Sequence, residues 1–259
     1  MNSQELIEKI TQKKEFSQLP KKDVELAFEK FDKERFLDEE KIKLTRDLLR
    51  KVFSAFASTK ILSLKDKSYE WILRKHLSTR ERLPYYEEIY RRILKGLDKR
   101  VSVIDLGSGI NGFSYNFFER VGYDADYLGV EAIGQLVELS NHYFKKEKLS
   151  GKTVHLSLFE LEKTRDLIKK TKTPRIVFLF KTIDSLEMLE RDYSKKLLSE
   201  IVHLSDRVVV SFATRSMIKR EKFKVKRNWI IDFIRDNFNI SDDFMVGGER
   251  YIVFCKRDE

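Results

Sequence analysis

The stretch Val103-Ile-Asp-Leu-Gly-Ser-Gly109 constrains this chain most. It is a short apolar run that stops at two glycines and leads into a helical pattern from Phe113. Glycines at such a point let the backbone take positive φ and approach a ligand closely. The same grammar recurs along the chain. Apolar runs over residues 101–106, 127–130, 153–156, 175–180 and 208–212 predict five strands, with helical stretches between them, one reaching Lys146. The run over 175–180 is apolar throughout, as expected of a parallel strand covered on both faces. Strands alternating with helices predict a parallel sheet with right-handed crossovers. The end differs. After a helix over 229–238, two short runs flank Gly247-Gly248, a pattern that predicts a hairpin.

Residues 1–98 lack this alternation and predict helices only. Leu6, Ile7 and Ile10 share a helical face, as do Val24, Ala27, Phe28 and Phe31. A longer stripe over 38–57 carries Ile42, Leu48, Leu49, Val52 and Phe53, and a further helix covers 65–75. Pro84, suited to a first helical turn, opens another through Ile89, Tyr90 and Ile93. The expected division is a helical N-terminal domain over 1–98, serving as an RNA- or substrate-binding cap, and an α/β domain over 99–259. An α/β sheet finished by a hairpin is the layout of the class I (Rossmann-like) S-adenosylmethionine methyltransferase fold.

The glycine turn suits two cofactors. Gly107, Gly109 and Gly112 satisfy the G-x-G-x-x-G spacing of dinucleotide sites. Asp105, in the strand ahead of them, points the other way. With Gly107, Ser108 and Gly109 it resembles the D-x-G-x-G motif of methyltransferases, in which the acid faces the amino end of the methionine moiety. Glu131 ends the second strand about 20 residues on, where a carboxylate accepts from both ribose hydroxyls. Glu131 serves either cofactor (and would also suit a plain helix start), so Asp105 and the terminal hairpin make the choice for S-adenosyl-L-methionine. Ser157, Leu158 and Phe159 follow the third strand and are expected near the adenine. Phe159 either stacks on the base or fills core.

The segment His76-Leu-Ser-Thr-Arg-Glu-Arg-Leu-Pro84 resembles the Ser-Thr-x-Glu-Arg motif of the aminoglycoside-resistance 16S ribosomal RNA guanine-N7 methyltransferases. Ile104-Asp-Leu-Gly-Ser-Gly109, Val177-Phe-Leu-Phe-Lys181 and Val209-Val-Ser-Phe-Ala-Thr-Arg-Ser216 agree as well. The resemblance spans roughly residues 40–256 and marks a distant homologue. It implies that Arg82 helps hold the cofactor carboxylate, which a bidentate guanidinium does well. Ser78 and Glu81 also fit a capping box for a helix starting near Pro84, a role that leaves Arg82 free. The family's glycine-bearing loop is altered: Lys219 and Phe223 stand where it has glycines, and Asp184 stands where it has proline.

Charge points to the substrate. Fifty-two Lys and Arg against 42 Asp and Glu give a formal charge of +10. That excess suits a polyanion, because phosphate neutralisation releases counterions, although it also suits a charge-rich solvated surface. Between residues 215 and 227 lie Arg215, Lys219, Arg220, Lys222, Lys224, Lys226 and Arg227 against one acid, Glu221. This run follows the fifth strand and is expected to contact RNA at the sheet's carboxyl edge. Phe223 within it either stacks on a flipped base or anchors the loop.

Guanine N7 carries an in-plane lone pair, so its methylation needs positioning more than acid–base chemistry. Lys181, ending the fourth strand, is the expected catalytic residue, orienting the substrate at the transfer site. The four histidines lack metal-ligand spacing and no metal is expected. The lone Cys255 fits a reducing compartment, no run approaches the ~20 apolar residues of a membrane span, and the start does not resemble a signal peptide. A cytoplasmic monomer acting on ribosomal RNA or the small ribosomal subunit is therefore expected. The rivals are a methyltransferase of a small molecule or protein, and a non-catalytic ribosome-binding factor on the same fold.

Overall fold

The computed structural model describes residues 1–54, 65–214 and 227–257. The apolar runs form β1 (Arg100–Leu106), β2 (Asp124–Glu131), β3 (Gly151–His155), β4 (Arg175–Phe180) and β5 (Arg207–Ala213). The Gly247-Gly248 pair closes a hairpin between β6 (Asn239–Val246) and β7 (Glu249–Cys255), both glycines at positive φ. One sheet results, in the order β3-β2-β1-β4-β5-β7-β6. The first five strands are parallel, and β7 runs antiparallel between β5 and β6.

The pleat sends alternate residues to opposite faces. Ile104, Leu106, Val177, Leu179, Val208 and Val210 enter one hydrophobic cluster. Val101, Val103, Ile176, Phe178 and Val209 enter the other. The N-terminal helices divide between these faces. α1 (Ser3–Thr11), α2 (Lys21–Glu29) and α3 (Asp38–Leu49) bring Leu6, Ile10, Val24, Phe28 and Leu49 to the first. α4 (Tyr69–Lys75), α5 (Leu77–Arg82) and α6 (Tyr86–Ile93) lie toward the second, to which α4 and α6 add Ile72, Leu73, Tyr86, Tyr90 and Ile93. Each fully buried Leu or Ile contributes about 1.5–3 kcal/mol, so these helices are bound into the same core as the sheet.

Some local expectations change. The helix predicted over 38–57 gives way to a π-helical turn over Arg50–Ser54, and 55–57 fall outside the described residues. The widened turn, of a kind frequent at functional sites, brings Val52 and Phe53 to the central cavity. Ser78 and Glu81 do not cap a helix at Pro84. They lie inside α5, and Pro84 sits in a 3-10 turn (Leu83–Tyr85) ahead of α6. The reason is that helix begins earlier, with extended His76 as its N-cap residue; the Ser78 hydroxyl is 3.0 Å from His76 Nδ1.

The crossovers are α7 (Asn116–Arg120), α8 (Gly134–Lys146), α9 (Leu161–Lys169), α10 (Ile183–Leu189), α11 (Tyr193–Val202) and α12 (Asn228–Asn237). The helix expected from Phe113 is instead a 3-10 turn over Asn111–Ser114 followed by the short α7. Gly112 allows that packing: a Cβ there would stand 2.8 Å from the Phe144 ring.

Candidate active site

The strand order reverses between β1 and β4, and at the carboxyl edge of such a switch point α/β proteins hold their ligands. A cavity of about 790 Å³, its open mouth included, lies there. Arg82, Asp105, Gly107, Ser108, Gly109, Glu131, Leu158, Phe159 and Lys181 all line it. Five widely separated stretches of sequence thus converge on one space. Glu249, Asn111 and Asp23, which sequence reasoning did not single out, complete its chemistry.

Asp105 is buried on β1. Its Oδ2 accepts from Asn111 Nδ2 and from the Tyr127 hydroxyl, both at 2.7 Å. Its Oδ1 is buried and has no hydrogen-bond partner. Burial pushes this carboxyl up, only partly offset by the bonds from Tyr127 and Asn111 and by the charge of Arg82. A buried acid that lines a cavity and keeps an unmet acceptor matches a cationic donor such as an ammonium group.

Glu131 is held by backbone: Oε2 accepts from Gly109 N–H and Oε1 from Ile133 N–H, each at 2.8 Å. Burial raises its proton affinity and these amides lower it. Each carboxylate oxygen retains capacity for a further donor, as a ribose diol requires. Gly107 and Ser108 N–H both donate to the Val130 carbonyl. With the Gly109 amide on Glu131, the turn's N–H groups are engaged inside the protein, which leaves no pyrophosphate cradle of the dinucleotide kind. Gly107 adopts φ +74, and a Cβ there would sit 2.8 Å from Thr182.

Arg82 is 4% exposed and lies over the Phe180 ring, its centroid 4.9 Å away. Its Nε donates to both Glu249 oxygens at 3.0 and 3.2 Å, and Nη1 reaches Asn111 Oδ1 at 3.4 Å. Glu249 also accepts from the Ser211 hydroxyl and meets Lys181 Nζ at 3.3 Å. Lys181 in turn donates to Glu81 at 2.9 Å. Burial alone would raise the Glu249 carboxyl, but Arg82 and Lys181 outweigh it and hold it below the usual carboxylate range. Arg82 thus lines the cavity as half of a buried ion pair. Lys181 is at φ +58, a conformation non-glycine residues seldom adopt, with its N–H bonded to Ser211. Such strain is kept where the surroundings fix it, often at a site.

At the other end, Phe159 does more than fill core. It lines the cavity and packs on Tyr193 with ring centroids 4.5 Å apart. Leu158 lines the same wall.

The basic run divides. Arg215, Lys219, Arg220, Lys222, Lys224 and Lys226, with Phe223, lie outside the described residues. Arg227 is described, and its side chain is turned into the protein. It is 8% exposed and bonds Asp184 through Nε and Nη2 and the Ala213 carbonyl through Nη1. Asp184 is what engages it. Among the described residues no cluster of His, Cys, Asp or Glu could hold a metal, and no helix is long and apolar enough to cross a membrane.

The sheet order, the terminal hairpin and the glycine turn between Asp105 and Glu131 define a Rossmann-like class I methyltransferase fold. The crystal structure of the 16S rRNA methyltransferase RmtF in complex with S-adenosyl-L-homocysteine superposes with a TM-score of 0.79 at 20% identity, covering 99% of this chain and 100% of that one. The chain belongs to the ribosomal RNA methyltransferase (FmrO) family, whose model matches residues 37–229. It is 25% identical over 190 residues to the 16S rRNA (guanine(1405)-N(7))-methyltransferase of Proteus mirabilis, covering 71% of this chain and 64% of that protein. The enzyme of the same name from Micromonospora rosea is 26% identical over 149 residues, 57% of this chain and 50% of that protein. The matches therefore span less than two thirds of either relative.

Proposed function

We propose that this chain transfers a methyl group from S-adenosyl-L-methionine to a guanine N7 of 16S ribosomal RNA, as the names of its relatives state for them. The observation that carries the reading is Asp105 Oδ1, an orphaned acceptor at the cavity end beside Arg82. It fits the ammonium of a methionine moiety. Arg82, already ordered by Glu249, presents its guanidinium to the carboxylate of the same moiety, Glu131 takes the ribose hydroxyls, and Leu158 and Phe159 cover the adenine.

Bound there, the cofactor supplies a methyl on a positively charged sulfur, already activated for transfer. The protein's own task is alignment. Lys181 stands at the switch point with its backbone fixed by Ser211 and its ammonium shared between Glu81 and Glu249. It orients the incoming nucleotide by a hydrogen bond or a phosphate contact. N7 has no proton to lose, so no general base is needed, and reactant alignment at ~3 Å supplies the rate.

The test is transfer of labelled methyl to isolated small ribosomal subunits, with free ribosomal RNA and protein fractions in parallel. Label in RNA that yields to reductive cleavage at 7-methylguanine is expected. Label confined to protein would identify a protein methyltransferase, and cofactor binding without label in any fraction would move the substrate elsewhere. The basic run has its own readout. Replacing Arg220 and Lys222 with Ala should weaken RNA binding and flatten the log K against log salt slope by about 1.5. An unaltered slope removes that run from the interface.

A further inference from the structure

The cavity contains an acid that none of these roles uses. Asp23 stands in the first turn of α2, 3% exposed, and lines the cavity on the side of Leu158 and Phe159. Its Oδ2 has no hydrogen-bond partner. The hydroxyl of Ser157, which directly precedes Leu158, acts to lower the proton affinity of the same carboxyl. The cavity is therefore ordered: Arg82 and Asp105 at one end, Glu131 in the middle, Asp23 with Ser157–Phe159 at the other. A nucleoside whose ribose meets Glu131 has only the Asp23 end in which to place its base.

We propose that Asp23, as a neutral carboxylic acid, reads the Watson–Crick edge of the adenine, its O–H donating to N1 and its C=O accepting from the N6 amino group. This rests on the cofactor reading above and adds a residue of the N-terminal helices to the base subsite. The side chain supplies one donor and one acceptor to an edge that presents one acceptor and one donor. An ionised carboxylate would instead set lone pairs against N1.

The surroundings favour the neutral form. Burial raises the Asp23 carboxyl to about 7, the Ser157 hydroxyl and its own backbone offset this in part, and the carboxylates of Glu131 on β2 and Glu160 ahead of α9 add to it. Among the described residues, the facing elements bring no countercharge to this end of the wall. α10 presents Ser185, Leu186 and Leu189, the π-helical turn presents Val52 and Phe53, and Tyr193 on α11 is a phenol itself held protonated by burial. Packing of α2 against α10 fixes the acid in place. The sign follows. Binding that uses the acid form is strongest below pH 7, weakens as pH rises through it, and takes up a proton.

Calorimetric titration of the full chain with S-adenosylhomocysteine between pH 6 and 8.5 tests this, using wild type, Asp23→Asn and Asp23→Leu. Wild-type affinity should fall by up to about tenfold per unit above pH 7. Asn reproduces the donor and acceptor pair without a titrating proton. It should keep affinity at pH 6 within a few-fold and lose the pH dependence. Leu should bind about ten- to hundredfold more weakly at pH 6. A flat wild-type profile, a slope that persists in Asp23→Asn, or Asn binding as weakly as Leu would overturn the assignment while leaving the cofactor reading standing. Wild-type Leu affinity would do the same. The wild-type and Asn arms decide the matter even if the apolar variant fails to fold. No binding by wild type at any pH overturns the cofactor reading, and this assignment with it.

Discussion

Replacing Glu249 with Ala should cost about 3–5 kcal/mol of stability and with it most cofactor binding. Removing one partner of a buried pair leaves the other charge uncompensated in a medium that solvates it poorly. Here two cations are left. Arg82 loses both of its Nε bonds, and Lys181 keeps only Glu81. The Ser211 hydroxyl loses its acceptor as well. For a chain of this size the loss corresponds to a fall of roughly ten degrees or more in thermal midpoint. Glu249→Gln separates charge from shape. It can still accept from Arg82 but no longer balances it, so its midpoint should lie between wild type and Ala. Differential scanning calorimetry with and without S-adenosylhomocysteine reads both effects. A midpoint for Glu249→Ala within two degrees of wild type would mean the pair does not hold the site.

The same carboxyl sets an acid limit on the fold. Its proton affinity is lowered in the folded state. Its contribution to stability is therefore complete above the unfolded carboxyl range and is lost as pH falls through the depressed folded value. The pairing also sets what Arg82→Ala would do. A free cofactor-gripping arginine could be removed at the expense of affinity alone. Arg82 as found would leave Glu249 with Lys181 as its one remaining cationic partner, so both midpoint and affinity should drop.

What the sequence made legible is what is encoded locally. The strand runs, the Gly-Gly hairpin and the 105–109 turn each depend on residues within a few positions of one another, and each forms where expected. Asp105 and Glu131 were legible because strand ends and spacing place them at the sheet edge. Glu249 was not, because its meaning comes from Arg82, 167 residues earlier. The one local hint was a glutamate opening a mainly apolar strand right after the hairpin glycines. Asp23 gave less still, since an acid in the first turn of a helix is ordinary, and only tertiary packing of α2 over the cavity makes it unusual. Arg227 shows the converse dependence. A local count of positive charge put it on an RNA surface, whereas Asp184, 43 residues away, takes it into the protein. The Ser78–Glu81 spacing misled for a related reason. The motif matched a cap, but its side chains serve His76 and Lys181 from within α5.

Asp105→Asn should abolish useful cofactor binding while leaving the fold intact, a fall of about a hundredfold or more in affinity. The two carboxyl oxygens have separate duties. Oδ2 accepts from Asn111 and Tyr127, and an amide oxygen in its place can accept from both. Oδ1 is the unpartnered atom, and the substitution turns it into an N–H₂ donor aimed where an ammonium would sit. A charge-assisted bond, which contributes about 1.5–3 kcal/mol, becomes a donor–donor clash. Because the wild-type carboxyl is raised by burial, the substitution also removes a desolvated acid, so the thermal midpoint without ligand should hold or rise. The pH dependence gives an independent sign. Wild-type affinity for the ammonium end should fall as pH drops and Asp105 takes up its proton, at a higher pH than an ordinary aspartate would. That trend opposes the one assigned to Asp23, and the two variants separate them: Asp23→Asn keeps the acid-side loss, and Asp105→Asn has no affinity left to lose. Calorimetric titration with S-adenosylhomocysteine measures the affinity, and unfolding of the free protein measures the fold. Near-wild-type affinity in Asp105→Asn would show that the orphaned oxygen does not face the ligand's ammonium, and the orientation assigned to the cofactor would have to be reversed or abandoned.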